Sequence, residues 1–280
     1  MHGEDPGARP AAAPPGRPPG RPRLRLGQLH VDGVTFAQAI DVIAAMIADG
    51  VGGAVFTPNV DHVVMAEHDG GFRRAYEGAA LSLADGMPIV WASRLLGSPL
   101  PEKISGSDLA LPLMERAERE GWRVYLLGGA PGVGPKAAER LVARFPRIAI
   151  AGTDAPHIDM SASPASRADV VERVRASKAD VVLVALGAPK QELWIAEVAH
   201  HLRPAVLLGV GASIDFIAGT ARRAPPWMSA SGLEWIHRFA QEPRRLWRRY
   251  LLRDPEFLLI VLRELRRRTA PGAKRGRPPP

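Results

Sequence analysis

The chain has 280 residues, 46% of them hydrophobic, enough to bury a core in one large domain or in a domain with an appendage. It has no cysteine, which excludes a disulfide framework and a thiolate metal site. The net charge of +8 is uneven: residues 1–23 carry +2 and 235–280 carry +9, leaving 24–234 at −3, so a phosphate-bearing or membrane partner fits better than a uniformly basic nucleic-acid coat.

Residues 1–23 hold seven prolines and four arginines, and 269–280 repeat the Pro/Gly/Arg bias. Neither segment can bury enough apolar surface to offset its ordering entropy, so both are expected to be disordered. The N-terminus lacks the apolar centre of a secretory signal. No run approaches the roughly 18 apolar residues of a spanning helix. A membrane, if met, is met by lying on it.

From about residue 27, short Val/Ile/Leu runs alternate with amphipathic stretches. Gly53 to Thr57 reads as a strand and Asp61 towards Tyr76 as a helix. Leu81 to Ala84 is a short strand ending at Asp85-Gly86, and Met87 to Leu96 a helix. Ser107 to Arg119 is helical, with Leu109, Leu113 and Ala117 at helical spacing. Arg123 to Leu127 is a strand, followed by a glycine-rich loop, Gly128 to Gly134, and a helix through Arg144. Ile148 to Ala151 is a strand and Ala168 to Ser177 a helix. Val181 to Leu186 is a strand, Pro189 to His201 a helix with proline in its first turn, and Ala205 to Val210 a strand. This alternation implies an α/β fold, a Rossmann-like parallel sheet covered by helices on both faces. The near-continuous apolarity of the strands agrees. After Asp215, proline, arginine and tryptophan accumulate, and Trp235 onward looks helical. The expected organisation is a core over 24–223 and a helical C-terminal appendage over 224–268.

In open α/β sheets, ligands sit beyond the carboxyl ends of the strands. Four segments occupy such places: Thr57-Pro58-Asn59, Asp85-Gly86, Gly128 to Gly134, and Gly209-Val210-Gly211 with Asp215. Each has a plainer reading. Asp85 in that position more often caps the next helix. Thr57 and Asn59 are good turn formers around Pro58. The glycine loop can cradle phosphate or merely turn the chain, and it lacks both the dinucleotide fingerprint and the P-loop lysine. That absence counts against a nucleotide-dependent oxidoreductase. Lys190 and Gln191 open a helix, where a cation opposes the dipole and hints at an anionic partner. The eight histidines show no metal-ligand spacing, and there is no serine nucleophile elbow.

The C-terminal segment stands apart. Arg238, Arg244, Arg245, Arg248, Arg249 and Arg253 fall within sixteen residues, interleaved with Trp235, Phe239, Trp247 and Tyr250. On a continuous helix, Arg245, Arg248 and Arg249 share a face. A charge run is usually a solvated face, yet this mixture suits phosphates and a membrane interface. Phe257 to Leu262 is apolar all round and is followed by Arg266, Arg267 and Arg268, a pattern that suits an interfacial anchor on an anionic leaflet. A polyanion- or nucleic-acid-binding protein is the alternative; the mildly acidic body and the lack of a nucleic-acid motif weigh against it.

Taken in order, the motifs resemble the WecG/TagA/CpsF glycosyltransferase family over roughly residues 27–255. They are Thr57-Pro58-Asn59, Ala84-Asp85-Gly86, Ile104-Ser105-Gly106-Ser107-Asp108-Leu109, Leu127-Gly128-Gly129, and Gly187-Ala188-Pro189-Lys190-Gln191-Glu192. Gly209-Val210-Gly211, Asp215-Phe216, Ala218-Gly219, Arg223-Ala224-Pro225 and Gly232-Leu233-Glu234-Trp235 with Arg238 complete the series. The resemblance implies an inverting transferase moving a sugar, of N-acetylmannosamine type or another hexose, from a UDP-sugar donor. The implied acceptor is a polyprenyl-diphosphate-linked sugar used in cell-surface polysaccharide synthesis. It implies Asp85 as catalytic base, and Thr57, Asn59, Gln191 and Asp215 as substrate-binding residues. Arg238, Arg245 and Arg248 would reach the donor diphosphate. Lys103 stands where relatives usually carry arginine; it keeps the charge and loses the bidentate fork. No Asp-x-Asp pair occurs, so arginines are expected to stabilise the leaving diphosphate without a metal or other cofactor. The expected location is peripheral, on the cytoplasmic face of the membrane, with no nucleic-acid partner. A homo-oligomer is left open.

Overall fold

The computed structural model describes residues 22–269; apart from their inner residues, the Pro/Arg-rich tails expected at 1–23 and 269–280 lie outside it. The fold opens with a hairpin that the chain-order reading does not contain. Strands β1 (Arg23–Leu26) and β2 (Leu29–Asp32) pair antiparallel around Gly27-Gln28. Helix α1 (Phe36–Ala48) follows. Its start is closed by a reciprocal box: the Thr35 hydroxyl accepts from Gln38 N, and the Gln38 side chain accepts from Thr35 N at 2.9 Å.

The body then alternates. Its elements are β3 (Gly53–Phe56), α2 (Val60–His68), α3 (Gly70–Glu77), β4 (Leu81–Ser82), α4 (Met87–Leu95) and α5 (Gly106–Glu120). Next come β5 (Arg123–Gly128), α6 (Val133–Arg144), β6 (Ala149–Asp154), a 3-10 turn at Pro164–Arg167 and α7 (Ala168–Ala176). The body closes with β7 (Val181–Ala185), α8 (Lys190–Val198), β8 (Val206–Gly209) and α9 (Ser213–Ala218). The single helix expected from Asp61 to Tyr76 is two helices. Asp69 leaves helical geometry, ends α2, and caps α3 by accepting from Phe72 N at 3.0 Å; Gly70-Gly71 follow it.

Six strands form one parallel sheet in the order β4-β3-β8-β7-β5-β6. Its interior is apolar on both faces, and the pleat sorts the side chains. Ala54, Phe56, Val182, Val184 and Leu207 face one cluster with α2, α3, α4, α7 and α8. Val55, Val181, Leu183, Val206 and Leu208 face the other with α1, α5, α6 and α9. This is why the strands read as continuous apolar runs rather than alternating ones. The α/β class and the parallel sheet covered on both faces are as the sequence implies.

The C-terminal region is helical but broken. It comprises α10 (Pro226–Ala230), α11 (Glu234–Gln241), α12 (Pro243–Arg248), a π-helical turn at Arg249–Arg253, and α13 (Glu256–Thr269). Phe257, Ile260 and Val261 of α13 are buried against the hairpin side of the core, whereas Leu258, Leu259 and Leu262 are exposed. The stretch that is apolar all round in sequence is therefore half core and half surface. Each buried member contributes about 2 kcal/mol of apolar burial. Among the described residues, no helix is long and apolar enough to cross a membrane.

Candidate active site

The site lies where the sequence rule places ligands, beyond the carboxyl ends of β3 and β4. The two strands pair Phe56 with Ser82, and the chain continues the ladder past them. Leu83 N donates to Phe56 O at 2.8 Å and Asp85 N to Pro58 O at 2.9 Å. On the other side, Ile104 N donates to Ala84 O at 2.7 Å. Asp85 is thus pinned by backbone between two loops. Gly86 follows at φ 109°, a left-handed conformation that suits glycine, and it serves as the N-cap of α4 without a side-chain bond. The capping role for Asp85 is therefore not realised. Among the described residues, no hydrogen bond to its carboxylate is seen.

The C-terminal helices close over this edge and leave a cavity of about 530 Å³. Its lining joins Asn59, Asp85 and Lys103 from the body with Glu234, Trp235, Arg238, Arg249, Tyr250 and Asp254 from the appendage. One end is a charge network. The Lys103 ammonium donates to Asp108 at 2.6 Å and to the Ser229 hydroxyl at 2.9 Å. Ser229 donates to Glu234 at 2.9 Å, and Arg238 donates to the other Glu234 oxygen at 2.7 Å and 3.2 Å. Arg223 pairs with the second oxygen of Asp108.

Asp85 sits inside this network, partly buried. Burial pushes its carboxyl up to about 7; Glu234 and Asp108 add to the rise, and Arg238 and Lys103 oppose it. Its neighbours go the other way. Burial would raise Glu234, but Arg238 and Ser229 outweigh it and hold the carboxyl below its ordinary value. Asp108 is held at about 2, because hydrogen bonds from Lys103, Ser105 and Arg223 overcome its burial. Asp85 and Glu234, driven in opposite directions within one cavity, make Asp85 a candidate acid or base.

The other end is built around Arg249. Its Nη2 donates to Asn59 Oδ1 at 3.2 Å, and its Nε lies 3.3 Å from Asp61. Arg253 donates to the same Asp61 carboxylate at 2.9 Å. Asn59 therefore serves two partners, since its Oδ1 also caps α2 by accepting from His62 N. Below it, His62 Nδ1 lies 2.7 Å from the Tyr76 hydroxyl, and burial drives the imidazole down to about 3, so it is neutral.

A family model described as the WecG/TagA/CpsF glycosyl transferase family matches residues 24–271. The chain belongs to that family. Two relatives support this, both named N-acetylglucosaminyldiphosphoundecaprenol N-acetyl-beta-D-mannosaminyltransferase. The protein from Bacillus spizizenii is 33% identical over 79% of this chain and 82% of its own length. The protein from Bacillus subtilis is 31% identical over 76% of this chain and 80% of its own.

Of the residues that resemblance to this glycosyltransferase family nominates, Asp85, Asn59, Lys103 and Arg238 meet around the cavity. Others do not line it. The Thr57 hydroxyl lies 3.4 Å from Gly209 O and stitches β3 to β8. Gln191 is buried; it accepts from Gly211 N at 3.2 Å and donates to Glu192 at 2.6 Å. Asp215 accepts from the Thr220 hydroxyl at 3.4 Å. Arg248 is exposed, its guanidinium over Trp247. The side chain of Arg245 lies outside the described residues. The Gly128 to Gly134 loop lines no part of the cavity; Gly128, at φ 110°, lets the chain pass against the backbone of Ala185, where a Cβ would collide.

Glu234, Arg249, Tyr250 and Asp254 are among the lining residues with no site role assigned from the sequence. For Glu234 the signal is its i, i+4 spacing to Arg238. For Arg249 there is none beyond membership of the arginine cluster. The π-turn at Arg249–Arg253, closed by Asp254 N donating to Arg249 O, changes the helical phase after Arg248.

Proposed function

We propose that this glycosyltransferase moves a hexose from a UDP-sugar to a polyprenyl-diphosphate-linked sugar, with inversion and without a metal, while lying on the inner face of the cytoplasmic membrane. The observation that carries this reading is Asp85. Its carboxyl, tuned to about 7, faces Arg238 and Lys103 in one cavity at the sheet edge. As carboxylate, Asp85 takes the proton of the acceptor hydroxyl. The hydroxyl oxygen forms the new bond to the anomeric carbon from the face opposite the leaving group. The bond from that carbon to the diphosphate oxygen breaks with its electron pair, and UDP leaves. Arg238 and Lys103 are the cations placed to offset the charge that develops on it.

The names of the two Bacillus relatives support an N-acetylglucosaminyl-diphospho-polyprenol acceptor. The membrane part of the reading is supported by exposed apolar surface on the appendage: Leu251, Leu252, Leu258, Leu259 and Leu262 are each at least half exposed, and Trp247 is exposed as well. Arg267 and Arg268 contribute less than their sequence suggests, since they bond Glu264 and the Leu96 carbonyl.

The test is transfer from a panel of UDP-sugars to a synthetic N-acetylglucosaminyl-diphospho-prenol, with and without EDTA. Turnover that survives EDTA and is lost in Asp85→Asn supports the reading. Loss with EDTA overturns the metal-free part, and wild-type turnover by Asp85→Asn removes Asp85 as the base.

A further inference from the structure

Transfer of this kind brings two diphosphates into one cavity, one on the nucleotide donor and one on the lipid acceptor. A single cation cannot neutralise both. The cavity offers cations at two ends, Arg238 with Lys103 beside Asp85, and Arg249 beside Asn59. The first group is spoken for by the leaving diphosphate, because charge develops there as the sugar departs.

Three observations single out Arg249. It lines the cavity, yet its only hydrogen bond among the described residues is the one from Nη2 to Asn59. Its Nε–H is buried without a hydrogen-bond partner, although Asp61 holds the guanidinium in place from 3.3 Å. Guanidinium carries five N–H donors in a fork that matches phosphate oxygens; Nε is directed at Asp61 and Asp254, and the Nη donors beyond the one on Asn59 are uncommitted among the described residues. The third observation is position. Phe257 and Leu258 line the same cavity, and Leu258, Leu259 and Leu262 continue outward as exposed apolar surface on α13. A prenyl chain leaving a diphosphate at Arg249 has an apolar path to follow.

We infer that Arg249 is the receptor for the acceptor's diphosphate, while Arg238 serves the donor's. The inference rests on the function proposed above and deepens it. It makes the cavity polar in the literal sense: nucleotide diphosphate at the Asp85–Arg238 end, lipid diphosphate at the Asn59–Arg249 end. The acceptor hydroxyl is delivered between them to Asp85.

Arg249→Gln separates the roles. Removing a charge-assisted bond should raise the acceptor KM about tenfold or more and leave the donor KM nearly unchanged. Arg249→Lys, which keeps the charge and loses the fork, should recover part of the loss. Arg253→Gln is the structural control, because it breaks the other bond to Asp61 from a residue that does not line the cavity. It should leave both KM values nearly unchanged. A second readout needs no turnover: equilibrium binding of farnesyl diphosphate, a soluble prenyl diphosphate, should weaken by a similar factor in Arg249→Gln and not in Arg253→Gln.

Farnesyl diphosphate bound equally by wild type and Arg249→Gln, or by neither, overturns the inference. Equal loss of donor and acceptor affinity in Arg249→Gln does the same. If wild type transfers sugar and Arg249→Gln matches it, the inference fails and the function stands. If wild type transfers nothing yet binds farnesyl diphosphate through Arg249, the function fails and the anion site stands.

Discussion

The cavity has two walls made in different ways. The sheet wall comes from the ends of β3 and β4, whose side chains are buried in the apolar clusters on the two faces of the sheet. The helical wall has almost no interior: among the described residues, α11 and the π-turn bury no side chain. It is attached by charge. Arg249 and Arg253 meet Asp61, Arg223 meets Asp108, and Arg263 meets Glu67 at 2.6 Å; α13 adds apolar packing. Apolar burial is non-directional and is not screened by salt, whereas charge pairs are directional, screened and individually weak. The proposed base Asp85 is therefore carried on the rigid wall together with Lys103, and Arg238 and Arg249 on the wall that can open locally.

The largest effects should come from the rigid wall. Asp85→Asn should cut turnover by about 10²- to 10⁴-fold, measured as initial rate of transfer. It should also make the fold more stable. A carboxyl that keeps its proton up to about 7 when folded, but ionises in the ordinary carboxylate range when unfolded, penalises folding increasingly as pH rises between those values. At pH 8 the penalty is nearly full, about three pH units at ~1.4 kcal/mol each, so the amide should add up to about 4 kcal/mol there in urea unfolding and under about 1 kcal/mol at pH 4. Equal stability at pH 8 would mean that the Asp85 carboxyl is not raised in the folded protein.

The helical wall should answer differently. Asp61→Asn removes the carboxylate shared by Arg249 and Arg253. Local opening of residues 234–253 should become easier by about 1–3 kcal/mol, read as faster amide exchange there and unchanged exchange in β3, β5, β7 and β8. Faster exchange in the strands as well would mean that the two walls unfold as one unit.

The same contrast explains what the sequence discloses. β3, β5, β7 and β8 are legible because burial on both faces leaves an unbroken apolar run. The hairpin is harder to see. Its Arg-Leu-Arg-Leu and Leu-His-Val-Asp segments do alternate, but the arginines blend into the Pro/Arg-rich tail before them. The site divides in a similar way. Asp85 and Asn59 follow from strand ends and motif order. Which arginine faces the cavity does not, because a one-face argument assumes a continuous helix and the π-turn interrupts it. Arg248 lies outside on Trp247 and Arg249 inside on Asn59, one residue apart. Lys103, without the fork of an arginine, finds its geometry from Asp108 and Ser229.

The smallest effect tests how the walls speak to each other. Glu234 stands on the helical wall, bonded to Arg238 and Ser229, and its charge helps to raise Asp85 on the sheet wall. Glutamine keeps an oxygen to accept from Arg238 and removes the charge. Four charged groups then no longer balance: Asp85 retains Arg238 and Lys103, which favour its ionised form, and is left with Asp108 alone as a like-charged neighbour. Its pKa must fall. The base would be ionised at lower pH, so the acidic limb of the kcat/KM profile should move down by about one pH unit in Glu234→Gln, while the plateau changes only a few-fold. Arg238→Gln removes a cation and should move the same limb upward. A role confined to holding α11 in place would lower the plateau in both variants and leave the limb where it is. Opposite displacements of one limb by two residues on the helical wall would show that the base on the rigid wall is tuned by the wall that opens.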